Sequence, residues 1–147
     1  MAHVRQQLRA AVVAAISGLP TCGARVFPGR VYDVRSLPGA RVYTPSDEVV
    51  QTSGRTLDNL LDRPTEVVVE VVAGGSEGTL DNTLDTACEE IEAALAGGVT
   101  VSGTLVVIEY RGVDITLNSD GAQPIGEARL RFIAYLYAAA ATPGTLL

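Results

Sequence analysis

The sequence predicts a single α+β domain: a mainly antiparallel β-sheet with two α-helices packed on one face and a long C-terminal β-hairpin. Two stretches show helical periodicity, several strand-like stretches follow one another along the chain, and the last third contains two long alternating segments joined by a turn. Strands that are neighbours in sequence favour antiparallel pairing, with helices covering one side of the sheet. The 147 residues contain no linker or internal repeat, which indicates one domain over 1–147.

The first part of the chain is predicted to form one helix, two short strands and a long loop. Apolar residues recur at spacings of three and four over residues 3–18, which is typical of an amphipathic helix. Short apolar pieces at 24–27 and 40–43 are separated by turns with glycine and proline, so we expect two short strands there. Residues 44–63 are polar without a sustained period, which predicts a long loop that is a candidate arm for binding a partner.

The middle of the chain is predicted to form a strand followed by a second helix. Residues 65–72 are rich in valine at alternating positions, which favours a strand. A glycine-rich turn over 73–78 separates this strand from an apolar stripe at helical spacing between Leu80 and Leu95. The helix is expected to end at the two glycines that follow this stripe.

The last third predicts a hairpin with arms at 104–118 and 125–138. The turn between them contains Asp-Gly, a strong turn signal. In the first arm the apolar residues change parity at Gly112, and a glycine bulge explains this change. A tight turn at Arg111-Gly112 that splits the arm into two strands is the alternative.

Composition narrows the classes of function. A net charge of −6 and a pI near 4.7 argue against a nucleic-acid-binding surface, which requires clustered cations. No apolar stretch reaches the ~20 residues needed to cross a bilayer, so we expect no membrane contact. Two cysteines are too few for a disulfide scaffold and fit a reducing cytosol.

The sequence contains few candidates for a catalytic, anion-binding or metal site. The turn at 74–79 joins a strand to a helix, where backbone N–H groups attract anions, but it has no Walker lysine and Glu77 would repel phosphate. A flexible turn is therefore the simpler interpretation, with ligand binding as the alternative. His3 is the single histidine, and its spacing to Cys22 and Cys88 matches no zinc pattern, so we expect no catalytic, metal or cofactor site.

Basic and acidic residues are unevenly distributed along the chain. Residues 25–41 contain four arginines and one acid, whereas the second predicted helix contains six acids and no base. A solvated acidic face is the simpler interpretation, because most surface charges stabilise little. The alternative is a head-to-tail contact between these two surfaces in neighbouring subunits, which closes into a ring when the rotation permits. Tyr135 and Tyr137 lie on the nominally outer face of the last strand, which indicates a covered face or a subunit contact.

Three short segments resemble the tail terminator proteins of long-tailed, lambda-like bacteriophages. They read LRAAV at 8–12, RVFPGRVY at 25–32 and LPGARVY at 37–43. The order that follows, a polar loop, an acid-and-valine strand, an acidic helix and a terminal two-stranded segment, is also similar. The resemblance spans nearly the whole chain, and its motifs are hydrophobic and turn patterns without a catalytic signature. This sequence departs from that family in two respects. It contains eleven arginines and no lysine, and its turn at 74–78 is rich in glycine.

The resemblance implies a non-enzymatic structural virion protein that forms a hexameric ring, caps the tail tube, ends its polymerisation and joins the head. Its partners would be other copies of itself, the tail tube protein and a head-completion or connector protein, with DNA passing through the lumen without specific binding. It would be assembled in the host cytoplasm and lie at the head-proximal end of the virion tail. The alternatives are a head–tail connector or another minor tail component, and a small ligand-binding domain that uses the 74–79 turn. The candidate interface residues are Arg25, Arg30, Tyr32, Arg35, Arg41, Arg55, Asp81, Asp85, Glu89, Tyr135 and Tyr137.

Overall fold

The computed structural model describes residues 2–29, 37–51, 60–118 and 123–147. These residues form two helices and a mostly antiparallel sheet, which confirms the predicted α+β class. The elements are α1 (Val4–Ile16), β1 (Val26–Pro28), β2 (Gly39–Tyr43), β3 (Val50–Gln51), β4 (Leu60–Gly74), α2 (Glu77–Leu95), β5 (Val99–Val101), β6 (Thr104–Val106), β7 (Ile108–Asn118) and β8 (Ile125–Ala139).

The two longest strands form the centre of the sheet. β4 and β8 have 15 residues each and pair antiparallel along their whole length, from Leu60 opposite Ala139 to Gly74 opposite Ile125. The strand order is β1-β2-β4-β8-β7, with β3 also paired to β4, and β1 is parallel to β2. β5 and β6 form a separate two-stranded sheet. The topology therefore places β1 and β7 at opposite edges of the main sheet.

Both helices pack on the same face of this sheet, as predicted. Residues at spacings of three and four are buried on each helix, and they join one core cluster with alternate residues of β2, β4 and β8. The helical members are Val4, Leu8, Val12 and Ile16 from α1, and Leu80, Leu84, Ala87, Cys88, Ile91 and Leu95 from α2. α1 contacts β1, β2 and β5, whereas α2 contacts β4 and β8. The opposite, outer face of the sheet is free of helices among the described residues.

The terminal hairpin forms, with one bulged strand as its first arm. The pairing moves from Tyr110 opposite Phe132 to Gly112 opposite Arg131, so one residue is inserted between them. Gly112 has a φ of +143°, which glycine adopts without strain. The glycine bulge is thus confirmed, and the alternative of a tight turn that splits this arm is wrong.

The predicted first arm of the hairpin begins too early. Residues 104–106 form β6, which pairs with β5 around a turn at Ser102 and Gly103, and the hairpin arm begins at Ile108. Both residues of this turn have positive φ, 48° and 82°. The apolar alternation continues through both strands, so the periodicity does not show where one pairing ends and the next begins.

The prediction of a loop over 44–63 is partly wrong. Residues 60–63 belong to β4, and β3 pairs with them in the register Val50 opposite Asp62. Backbone hydrogen bonds also link Glu66 N–H to the Ser46 carbonyl and Glu48 N–H to the Pro64 carbonyl. Because β8 offers pairing partners as far as Leu60, tertiary hydrogen bonding overrides the weak local pattern. Residues 52–59 lie outside the described ranges.

Candidate assembly surfaces

Two of the predicted interface arginines take part in contacts within the domain. Arg25 donates from Nε to the Pro38 carbonyl oxygen at 2.6 Å and from Nη2 to the Thr21 carbonyl oxygen at 3.2 Å. Arg41 forms an ion pair with Glu70 at 2.6 Å. Any subunit contact through these side chains therefore involves groups that also hold the fold. Four other predicted interface residues lie outside the described ranges: Arg30, Tyr32, Arg35 and Arg55.

A charged network lies on the outer face of the sheet, where Glu70 is only 8% exposed. The Tyr43 hydroxyl donates to Glu70 Oε1 at 2.6 Å and accepts from Arg129 Nη2 at 2.8 Å. Arg41 bridges Glu70 and the carboxylate of Glu127, the latter at 3.5 Å. A buried charge is costly unless it is paired and hydrogen-bonded, and both conditions are met for Glu70. The network thus joins β2, β4 and β8.

Burial and the neighbouring Glu70 carboxylate raise the pKa of two side chains in this network, Tyr43 and Glu127. Burial raises the pKa of Tyr43, and so does its hydrogen bond to the Glu70 carboxylate. Burial also raises the pKa of Glu127, and the charge of Glu70 acts in the same direction. With Pro45, these side chains line a cleft of about 340 Å³. Sequence reasoning missed the network, because only the strand register places Arg41, Glu70 and Arg129 side by side.

The acidic face of α2 is exposed to solvent. Asp81, Asp85 and Glu89 are all exposed, and no arginine of the described residues forms an ion pair with them. Glu90 has a different role, because its carboxylate accepts hydrogen bonds from the Thr21 N–H at 2.8 Å and the Thr21 hydroxyl at 2.6 Å. The head-to-tail pairing of this face with a basic surface stays a prediction.

The glycine-rich turn joins β4 to α2, as the sequence indicated. Gly75 has a φ of +153°, and the side chain of Ser76, at the helix N-cap, makes no capping hydrogen bond. The hydroxyls of Ser76 and Thr79 instead hydrogen-bond to each other at 2.8 Å. Ligand binding at this turn stays an alternative prediction.

The histidine and the cysteines have roles in packing and capping. His3 is the N-cap of α1, and its Nδ1 accepts the N–H of Arg5 at 3.1 Å. Cys22 and Cys88 are buried free thiols. Burial raises the pKa of both, that of Cys88 to about 11, so both remain protonated at neutral pH. Within the part of the chain that the structure describes, no three His, Cys, Asp or Glu side chains gather into a potential metal site, and no helix is long and apolar enough to span a bilayer.

An apolar groove lies at the end of the sheet where β6 meets β8 and the last residues of the chain. We call it the end groove; its volume is about 320 Å³, and it is lined by Thr104, Leu105, Val106, Val107, Tyr135, Tyr137, Leu146 and Leu147. Leu105, Val107, Tyr137 and Leu147 are 63%, 61%, 47% and 60% exposed. The Tyr135 hydroxyl donates to Glu109 on β7. Clustered exposed apolar side chains mark contact surfaces.

The end groove contains both predicted interface tyrosines, and the structure adds residues that sequence reasoning missed. Leu105 and Val107 belong to a segment that the sequence assigned to one continuous hairpin arm, in which half of the side chains would face the core. The turn at Ser102 and Gly103 instead pairs Leu105 with Thr100 of β5, and both Leu105 and Val107 are exposed on either side of the buried Val106. A Ser-Gly pair before an apolar run was the signal for that turn.

Replacing Leu105 by Asp should weaken association through the end groove without destabilising the domain. The side chain is 63% exposed, so little apolar burial is lost within one chain. We expect association to weaken about tenfold or more, as for a residue at the centre of an interface, in sedimentation velocity experiments. Val49→Asp is the matched control, since Val49 is 48% exposed outside the groove. Equal association of the two variants would argue against a contact at the groove.

Comparisons with known proteins identify a shared fold. The sequence matches no protein-family model, and a search of curated proteins finds no match. A chain in the solved structure of the virion of a native gene transfer agent particle superposes with a TM-score of 0.55. The two chains are 19% identical, and the superposition covers 92% of each. At this identity the likeness establishes the fold, over nearly the full length of both chains.

Proposed function

We propose that the chain is a structural subunit of a phage-like virion, and that it forms a ring that caps the tail tube and ends its polymerisation. The ring would also offer the surface to which the head is joined. The observation that carries the proposal is the full-length likeness in fold to a chain of a virion particle. Fold alone does not determine function, so the terminator role depends on the sequence resemblance of 8–12, 25–32 and 37–43.

The described surface supports a role in assembly. The end groove exposes several large apolar side chains together, which is typical of surfaces that a partner covers. By contrast, the buried charges of the outer face pair with one another across three strands, so they stabilise the domain. A subunit of this kind has at least one apolar surface available to a neighbour, the tube or the head side.

Deleting the gene from the particle that encodes it tests the proposal. Loss of a terminator should give tails of uncontrolled length that carry no head, measured as a length distribution in negative-stain micrographs. Tails of normal length beside unjoined heads would instead favour the head–tail connector, and normal particles would contradict both roles. The wild-type gene supplied in trans should restore the normal distribution.

A reconstituted system tests tube capping directly. Purified tail tube protein is allowed to polymerise with and without this protein, and tube length is measured by electron microscopy. We expect shorter tubes with a ring at one end, and a ring mass that is six times the chain mass in native mass spectrometry. Tubes of unchanged length without bound protein would contradict the terminator role.

A further inference from the structure

The residues that follow β8 turn back and pair with the end of that strand. We call residues 140–147 the return segment. Within it, Leu146 forms an antiparallel bridge with Ala138, and the Leu147 N–H donates to the Tyr137 carbonyl oxygen at 3.2 Å. Ala138 is buried and Leu146 packs against the core cluster. The return segment therefore contacts β8 through both its backbone and an apolar side chain.

This pairing lies on the same edge of β8 that β7 uses. The Tyr135 N–H donates to the Val107 carbonyl oxygen at 3.1 Å, just before β7 begins at Ile108. Residues two apart along a strand direct their backbone groups to the same side, so Tyr137 faces the same edge as Tyr135. The return segment thus continues the sheet beside the part of β8 that β7 does not reach.

The return segment also binds the first turn of α1. Val4 is the first helical residue, so its N–H has no partner within the helix, and it donates to the Pro143 carbonyl oxygen at 3.0 Å. The side-chain amide of Gln7 donates to the carbonyl oxygens of Gly144 at 2.7 Å and Ala2 at 2.6 Å. We call the end of β8 and this turn of α1 the seat. Its contacts fix where the segment lies, whichever chain the segment belongs to.

The reversal between β8 and the seat is not made by turn-forming residues. It consists of Ala140, Ala141 and Thr142, which are all exposed, and the Thr142 N–H donates to the Ala139 carbonyl oxygen at 3.0 Å. None of these four residues has a positive φ, and none is a glycine, asparagine or aspartate, the residues that favour turns. Thr142 precedes Pro143, and a residue before proline favours extended backbone. The same residues can therefore continue β8 in a straight line.

The exposed apolar side chains of the end groove lie beside the seat. Leu105, Val107 and Tyr137 are exposed in one copy, and the return segment itself contributes Leu146 and Leu147 to the groove. A second chain that enters the seat lies next to these side chains and covers apolar surface that one copy leaves in water. The seat and the end groove thus form one continuous area.

We propose that neighbouring copies of this chain exchange their return segments: β8 continues straight past Ala139, and residues 143–147 occupy the seat of the next copy. Every contact of the seat is then formed between two chains instead of within one, so exchange sacrifices few interactions. Residues 140–142 span at most about 10 Å when extended, which holds the end of the donor's β8 against the end groove of the acceptor. The exposed apolar side chains of the groove are then buried between the copies.

Exchange in one direction joins the copies into a ring. Each copy gives its segment to one neighbour and receives the segment of the other, which is a head-to-tail contact that closes when the rotation permits. The proposal specifies a subunit contact of the ring and in that sense rests on the proposed function.

A disulfide across the seat shows to which chain the segment belongs. In the double variant Ala138→Cys, Leu146→Cys the new thiols lie on directly opposite residues, whose Cα atoms are about 5 Å apart in an antiparallel pair, within the reach of a disulfide. The assembled protein is oxidised with copper phenanthroline and separated on a denaturing gel without reductant. We expect bands at twice the chain mass and above, because each chain is linked to two neighbours. The wild-type chain, whose two cysteines are buried, and each single variant are the controls and should migrate at the chain mass.

The same gel can contradict the exchange. A disulfide within each chain, identified by mass spectrometry of the monomer band, would show that the segment stays on its own copy and would overturn the proposal. Bands that stop at twice the chain mass would mean reciprocal exchange in a dimer and would overturn the head-to-tail arrangement. A wild-type chain that stays monomeric both alone and with tube protein would overturn it as well.

Two glycines in the reversal test the exchange without altering the core. Ala140→Gly with Ala141→Gly disfavours a straight continuation of β8 and eases the reversal, because glycine weakens strands and is accepted in turns. Both side chains are exposed, so the unfolding midpoint should change little, whereas association in sedimentation velocity should weaken about tenfold. Ala10→Gly with Ala14→Gly, at exposed positions of α1 beyond the seat, is the matched control, which should lower stability but not association. Equal association of the two double variants would overturn the proposal.

These measurements separate the exchange from the terminator role. Normal tails after gene deletion would contradict the terminator while leaving the disulfide-linked oligomer intact. Conversely, uncontrolled tail length after deletion, together with a disulfide that forms within each chain, would contradict the exchange alone.

Discussion

Gly98→Ala should destabilise the domain by about 3 kcal/mol, the sum of backbone strain and a steric clash. Gly98 has a φ of +80°, a region that alanine enters with strain. A Cβ placed there would lie 2.4 Å from the Val106 carbonyl oxygen, an atom of the backbone that cannot rotate away. Since this carbonyl belongs to β6, the substitution also disturbs the pairing of β5 with β6. The expected fall in the unfolding midpoint is about 10 °C for a chain of this size.

Gly97→Ala is the matched control for this effect. The neighbouring glycine has nothing within 4 Å of an added Cβ and does not have a positive φ. We therefore expect a change within about 0.5 kcal/mol in either direction, as for other surface substitutions. Thermal unfolding followed by circular dichroism compares the two variants. Equal midpoints would show that the end of α2 relaxes without cost, contrary to the tight approach of Gly98 to β6.

Asp47→Ala should cost a similar amount, about 3 kcal/mol, because it leaves a buried arginine without its carboxylate. Arg63 donates to Asp47 Oδ2 from Nε at 3.0 Å and from Nη2 at 2.8 Å, and both side chains are 11% exposed. Arg5 of α1 pairs with the other carboxylate oxygen at 3.0 Å. Asp47 thereby connects α1 to β4, and its loss affects both. Urea unfolding measures the free-energy difference.

The matched control for Asp47 is Asp114→Ala. Asp114 pairs with Arg131 at 3.4 Å, but the two side chains are 66% and 43% exposed. Such a pair contributes at most about 1 kcal/mol. Equal losses in the two variants would show that the burial of the Asp47 pair has no energetic consequence.

The Asp47 cluster also predicts how stability changes with pH. Burial alone would raise the pKa of Asp47, but the hydrogen bonds and charges of Arg63 and Arg5 outweigh it and lower the pKa below the ordinary value of 3.8. The folded state therefore binds this proton more weakly than the unfolded state, so the stabilisation is present above pH 3.8 and is lost as the pH falls through the folded pKa. Asp47→Ala should remove this part of the acid dependence. An unchanged acid profile would contradict the assignment.

The helices and the central strand were predictable because their signals are local. The buried residues of α1 and α2 lie at the spacings that the sequence displays, and the alternating valines of β4 face the core. The glycine bulge was also predictable, since an inserted residue shifts apolar parity and Gly112 marks the position. In these cases the pattern and the structure depend on the same few residues.

The candidate surfaces were only partly predictable, because they depend on which strands pair. Tyr137 was expected to face a partner from its place on the last strand, and the structure places it in the end groove. Leu105 and Val107 also line this groove, and periodicity does not reveal that Leu105 belongs to a strand paired separately with β5. Likewise, the apolar residues of β7 match a core pattern, yet Tyr110, Ile115 and Leu117 are 41%, 43% and 43% exposed on the last strand of the described sheet.

The sequence by itself determined the α+β class, the two amphipathic helices, the bulged hairpin and the separation of basic from acidic segments. Only the tertiary structure decided that residues 60–63 continue the central strand, that Glu70 is buried in a charged network, and that β7 is the last strand of the described sheet. The physical reason is the range of the interactions. Periodicity and turn chemistry act over a few residues, whereas strand order, burial of a charge and exposure of an edge are set by residues far apart in the chain.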